Sequence, residues 1–196
     1  MNVEKNKRPA LTLIEVIIVI GMISILLAIG YFSLSKNLRK ERVKSAAFEL
    51  RSDIFYERQQ AFAQGRSRGV TRDSTDDSRY LTVKLDSFPA FFTVIKAIEF
   101  PSGVRFGNPW GTSDINGGGI DGTTLPGDGI TAENLVSGAP PEADNLIIFD
   151  ANGTLLWAET YYVYITSGEV LYGLKINKWG GIGVYVYRSG GWKEIE

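Results

Sequence analysis

The sequence predicts an α+β protein, a long N-terminal helix packed on an antiparallel β-sheet body. The first half of that helix is apolar on every side and the second half is amphipathic. Three observations predict it. Residues 11–34 carry a single charge, Glu15, in a run rich in Leu, Ile and Val. Residues 35–64 contain neither Pro nor Gly and repeat apolar residues at three-four spacing. From residue 65 onward, short β-branched and aromatic runs alternate with turns of Gly, Asn, Asp and Pro.

As a helix, residues 11–34 extend roughly 36 Å at about 1.5 Å per residue, enough to cross a hydrocarbon core of about 30 Å. A helix of a globular core rarely stays apolar on all faces for so long, so the run reads as a membrane segment. Glu15 is the odd residue, because a carboxylate in a membrane helix is costly, though less so near an end. Two compatible readings account for it. Thr12-Leu13-Ile14-Glu15 fits the T-x-x-E capping box, with Glu15 reaching back to an orphan N–H. Alternatively, Glu15 awaits a positive partner.

Lys7-Arg8-Pro9-Ala10, then Leu11-Thr12-Leu13-Ile14-Glu15-Val16 and the long apolar run, resembles the class III signal of type IV pilins and type II secretion pseudopilins. The resemblance implies a pilin-like fold and a leader of residues 1–10, cut by a prepilin peptidase between Ala10 and Leu11. It also implies N-methylation of Leu11 and a glutamate at the fifth mature position, Glu15, that meets the free N-terminal amine of a neighbouring subunit. Opposite charges attract strongly in a low dielectric, and each costs less to bury once paired. The chain departs from the family pattern at Ala10, where Gly is usual, and at Leu11, where Phe or Met is usual.

The 196 residues suit one domain plus an anchor. A formal charge of −1 gives no basis for bulk polyanion binding. The chain has no Cys and no His, which removes a disulfide framework, thiolate and imidazole catalysis, and the usual zinc sites. That inventory points away from an enzyme, and no cofactor, metal or small-molecule substrate is expected. Orientation contains a conflict. Lys36, Arg39, Lys40, Arg42 and Lys44 against Glu41 outnumber the leader's Lys5, Lys7 and Arg8, so the positive-inside rule alone would place the C-terminus in the cytoplasm. The resemblance implies the reverse, with a cytoplasmic leader, a single span in the inner membrane and an extracytoplasmic body. Long domains translocate largely regardless of charge.

Residues 35–64 continue the helix. Leu34, Leu38, Val43, Ala47, Leu50, Ile54 and Ala61, with Ala46, Phe55 and Phe62 nearby, supply an apolar face, and Gly65 a C-cap. The body, residues 65–196, is expected to hold strands at Tyr80–Leu85, Phe91–Phe100 and Val104–Phe106. In the last third, Leu146–Phe149 and Thr154–Ala158 flank the turn Asp150-Ala-Asn-Gly153. Tyr161–Thr166, Val170–Ile176, Ile182–Tyr187 and Trp192–Ile195 follow. Pro101-Ser-Gly-Val-Arg-Phe106 and Ile148-Phe-Asp-Ala-Asn-Gly153, with terminal strands closing on a glycine turn, resemble minor pseudopilins of the H type and related minor pilins. Residues 107–145, rich in Gly, Pro, Asp and Asn, are expected to form a long loop.

Three clusters invite chemistry. Asp114, Asn116, Asp121 and Asp128 offer oxygen ligands, but lack the order and the bidentate Glu of a calcium loop and read as a solvated loop. Arg66, Arg68 and Arg72 form a basic knot that could grip DNA phosphates, as in some minor pilins of natural transformation that this chain resembles, though Asp73, Asp76 and Asp77 follow at once. The Tyr and Trp residues from 157 to 192 suit core and cross-strand packing, with some facing outward. The resemblance therefore implies a structural subunit of a type II secretion pseudopilus or type IV pilus-like filament. Its partners would be other pilins or pseudopilins, the prepilin peptidase and inner-membrane lipid. A DNA-binding minor pilin is the alternative.

Overall fold

The structure is a computed structural model and describes residues 12–87, 91–108, 129–137, 139 and 141–195, with the side chains of residues 29–34, 87, 91, 141 and 142 outside that description. One helix, α1, runs Leu13–Gln64. The chain divides into two compact units between Leu38 and Arg39.

In the first unit, Leu13, Ile14, Ile17, Ile20, Ile23, Leu26 and Leu27 are all more than a third exposed, so the apolar surface runs right round the helix. Ser24 donates to the Ile20 carbonyl at 2.8 Å, which satisfies the hydroxyl within the helix itself. No helix among the described residues is long and apolar enough to cross a membrane. The apolar side chains described are those of residues 13–28, and the rest of the expected span, residues 29–34, lies outside the described side chains.

The second unit holds the rest of α1 and two antiparallel sheets. The first sheet is formed by β1 (Arg68–Arg72), β2 (Arg79–Ser87), β3 (Phe91–Glu99) and β6 (Leu146–Phe149), in the order β3-β2-β1-β6. The second contains β4 (Arg105–Phe106), β5 (Ile130–Glu133), β7 (Thr160–Thr166), β8 (Leu171–Asn177), β9 (Ile182–Arg188) and β10 (Gly191–Glu194). Its order is β10-β9-β8-β7-β4, with β5 also on β7.

On α1, Val43, Ala46, Ala47, Leu50, Ile54 and Ala61 are buried, a three-four repeat that lines one face. Against it pack Val70 and Tyr80 from the first sheet and Tyr161, Val163, Ile165, Tyr172, Leu174, Ile176, Val184 and Val186 from the second. Phe55 and Phe62, expected near the buried face, are instead exposed. The other sheet faces carry their own clusters, one around Val83, Leu146, Ile148 and Trp157 and one around Tyr162, Tyr164 and Leu171. Most of the aromatic residues expected to pack do so, but Trp179 is 70% exposed.

Gly65 stops the helix with φ 62°, and Arg66 N–H donates back to the Ala61 carbonyl. The chain then enters β1, so that Arg68 and Arg72 of the basic knot stand on a strand. β1 lies between β2 and β6, with Gly69 opposite Val83 and Ile148. A Cβ at Gly69 would fall 1.8 Å from the Ile147 carbonyl oxygen, so only glycine allows this pairing as it stands.

Two expectations are corrected. Thr154–Ala158 forms no strand and touches β6 through a single bridge, Phe149 to Leu155. The turn itself is present, with Asp150 N–H donating to the Thr154 carbonyl, but Leu155 N–H then donates to Lys178 and Leu156 N–H to Ile148. The pairing with β6 stops at this isolated bridge, and Leu155 N–H and the Trp157 carbonyl are bonded to Lys178 and Val136 on other segments. The expected loop 107–145 is also not wholly irregular. It contains β5, paired with β7 from Ile130–Val163 to Glu133–Thr160, and a short 3-10 helix at Pro141–Asn145. Residues 109–128 of that loop lie outside the described residues.

Candidate functional site

The first candidate lies at the start of α1. Glu15 Oε2 accepts two hydrogen bonds, from the Thr12 backbone N–H and the Thr12 hydroxyl, each at 2.8 Å. In return, Glu15 N–H donates to Thr12 Oγ1 at 3.4 Å. This reciprocal pair is the geometry of a capping box, made from a three-residue separation alone. Both bonds converge on one carboxylate oxygen. Among the described residues nothing donates to Oε1, and no cation pairs with Glu15. Glu15 thus sits as a half-engaged acid on a surface of Leu, Ile and Val. Ala10 and Leu11, the expected cleavage and methylation positions, lie outside the described residues.

The second candidate, Arg66, Arg68 and Arg72, is not assembled as three free cations. Side chains alternate along a strand, so Arg68 and Arg72 share the face of buried Val70. Arg68 Nε donates to Glu57 of α1 at 2.7 Å, and its Nη1 donates to Gln64 at 3.2 Å. Arg72 pairs with Asp77 at 3.1 Å. Arg66, just past the helix, is exposed. Asp73, from the acidic stretch that follows, accepts from the Thr75 hydroxyl and amide at 2.7 and 2.9 Å and from Arg79 Nε. The Thr75 bonds first, then Arg79, lower the Asp73 carboxyl to about 2.

The buried polar groups beneath α1 are structural. Tyr80 donates to Asp53 at 2.6 Å, and burial followed by that carboxylate pushes the phenol well above its usual range. Tyr161 donates to the Ala143 carbonyl at 2.7 Å, and burial raises it likewise. No group of three or more acidic residues that could hold a metal ion occurs among the described residues, and Asp114, Asn116, Asp121 and Asp128 lie outside them.

Among the described residues, the second unit also has concave sites that the sequence does not announce. A groove of about 640 Å³ is lined by Phe48, Arg51, Phe55, Arg58, Trp179 and Ile182 among others. Its one sequence signal is the seven-residue interval from Phe48 to Phe55, which sets both rings on one side of α1. Arg58, one of the lining residues, donates through Nε to the Gly153 carbonyl at 2.7 Å. A smaller site, about 280 Å³, is lined by Arg39, Arg42, Ser102, Gly103, Val104 and Ser167.

No protein-family model matches the sequence, and no curated protein sequence matches it. Among solved structures, this chain is similar to the type IV minor pilin FimU of Pseudomonas aeruginosa. The identity is 15%, with 79% of this chain and 94% of that one covered, at a TM-score of 0.47. The likeness is one of fold. The chain is similar in the same sense to the minor pseudopilin EpsH from the type 2 secretion system of Vibrio cholerae, at 11% identity. That match covers 74% of this chain and 97% of the other, at a TM-score of 0.45.

Proposed function

We propose that this chain is a minor pilin or minor pseudopilin, a structural subunit of a type IV pilus-like or type II secretion filament. In this reading the leader of residues 1–10 is removed between Ala10 and Leu11 and the new Leu11 amine is methylated. The apolar part of α1 anchors the subunit in the inner membrane with the body outside the cytoplasm. On assembly, the Leu11 amine of one subunit pairs with Glu15 of the next, while the apolar helix surfaces pack together.

The observation that carries this reading is the half-engaged Glu15 carboxylate on a surface that is apolar all round. Exposed apolar surface on that scale marks a membrane or an assembly interface. A carboxylate there is costly unless paired, and the uncommitted Oε1 is available to a cation while Oε2 keeps its bonds to Thr12. Thr12 thus caps the helix without consuming the group needed for pairing.

The test compares the intact chain with Glu15→Ala in a host with an active prepilin peptidase. The variant should be cleaved and held in the membrane as the parent is, yet absent from sheared filaments. Normal incorporation of Glu15→Ala would remove the pairing role. N-terminal sequencing of membrane-extracted protein tests processing separately, with Leu11 expected as the first residue and intact Met1 on every molecule counting against it.

A further inference from the structure

We propose that the pocket between Arg39, Arg42, Ser102 and Ser167 binds a phosphate group, supplied by a phospholipid headgroup or by a free phosphate ion. Three pieces of chain build it. Arg39 and Arg42 are three apart on α1 and so share a helix face. The turn Pro101–Val104 is closed by Val104 N–H donating to the Pro101 carbonyl at 3.0 Å. It feeds β4, whose Arg105 pairs with Thr166, and this sets Ser102 and Gly103 beside the β7–β8 turn that carries Ser167.

The β7–β8 turn leaves Ser167 unspent. Thr166 Oγ1 donates to the Val170 carbonyl at 2.9 Å and accepts the Gly168 N–H at 2.9 Å. The turn's side-chain bonding is therefore done by Thr166. Ser167 lines the pocket, and its Oγ is buried and has no hydrogen-bond partner among the described residues. A buried hydroxyl without a partner is costly, which makes this one a donor waiting for an acceptor.

The surrounding charge selects the acceptor. Arg42 is exposed and forms no ion pair with a described residue. Arg39 gives one Nη to Glu169 at 2.8 Å, an exposed pair that leaves its other N–H groups without a partner among the described residues. Two guanidiniums against one carboxylate disfavour a cation, and the polar lining disfavours an apolar ligand. A tetrahedral oxyanion has oxygens enough to take both guanidiniums and the hydroxyl together. The same chemistry explains the basic residues that follow the apolar run and oppose the orientation implied by the leader, because cationic side chains at a membrane surface are attracted to anionic headgroups.

The test uses the full chain in neutral detergent. Inorganic phosphate is titrated against chloride at matched ionic strength, with the thermal midpoint as readout. In parallel, the delipidated chain is offered micelles containing phosphatidylglycerol or phosphatidylcholine, and retained lipid is counted by native mass spectrometry. Binding by the parent should weaken about tenfold in Arg42→Gln and in Ser167→Ala, the loss of a charge-assisted contact. Lys44→Gln, exposed and outside the pocket, should bind as the parent does. Ser167→Ala should not lower the midpoint without phosphate, because no bond is lost. Retention of phosphatidylglycerol without a response to inorganic phosphate assigns the site to a headgroup, and the converse assigns it to the free ion. A phosphate response no greater than chloride with no lipid preference, or binding unchanged in both variants, overturns the proposal. The Glu15 test is unaffected by either result.

Discussion

Arg68 on β1 and Glu57 on α1 meet at 2.7 Å with side chains only 11% and 4% exposed. The pair ties the last turns of the helix to an inner strand of the first sheet. Removing one partner strands a buried charge, so Arg68→Ala should cost about 3 kcal/mol or more. The double replacement Arg68→Met with Glu57→Leu, which leaves no charge behind, should unfold close to the parent. Urea unfolding of the two variants checks this, and equal losses in both would show that the pair stabilises as well as specifies.

Gly69 is held by space. Gly69→Ala drives a methyl into the Ile147 carbonyl and should cost at least about 1–3 kcal/mol by forcing β1 and β6 apart. The thermal midpoint reports it, and a midpoint within error of the parent would mean that the strands are not paired in this register.

Residues on α1 should separate by face. Leu50 is 1% exposed and packed in the main core, so Leu50→Ala should cost about 2–5 kcal/mol. Phe62, only twelve residues further along, is 71% exposed, and Phe62→Ser should stay within about 0.5 kcal/mol of the parent. Comparable losses at the two positions would contradict the observed helix face.

Acid should act through Asp73. Its carboxyl is lowered from 3.8 to about 2 in the folded chain, so its contribution is complete above the unfolded value and disappears as pH falls from about 4 towards 2. Asp73→Asn should therefore be less stable than the parent at pH 7, with the gap closing by pH 2. Unfolding midpoints at pH 7, 4, 3 and 2 measure it. A gap that does not change with pH would assign the loss to shape, with no part played by charge.

The two groups at the helix start should also come apart. Thr12→Val removes both side-chain bonds of the cap but leaves the Glu15 carboxylate, so filament incorporation should persist. Glu15→Ala should abolish it. Equal loss in the two variants, read from sheared filaments by immunoblot, would make helix capping the whole role of Glu15.

Much of the fold was legible because it is local. The hairpins β7–β8, β8–β9 and β9–β10 were placed to within a residue or two by their turns, because turn chemistry and alternation fall within one short window. β1 escaped because its two arginines, Arg68 and Arg72, read together with Arg66 just before the strand as a basic cluster. Only the pairing with β2 and β6 makes a strand of them. β5 escaped for a related reason: its partner, β7, lies some thirty residues away, and the glycines that precede β5 argue for a loop. Thr154–Ala158 failed in the opposite sense: it meets β6 in one bridge, while Leu155 N–H and the Trp157 carbonyl bond Lys178 and Val136, which lie outside the expected hairpin.

By itself the sequence determined the long helix, its change from an apolar rod to an amphipathic one, and the Thr12–Glu15 interval that forms a cap within a single turn. These depend on the 3.6-residue repeat and on side chains close together in the chain. The tertiary structure decided which arginines are engaged, which aromatic residues are exposed, and that a helix and two distant turns enclose a pocket around Ser167. Those outcomes depend on which groups arrive opposite one another after the chain has folded, and short-range periodicity carries no information about that.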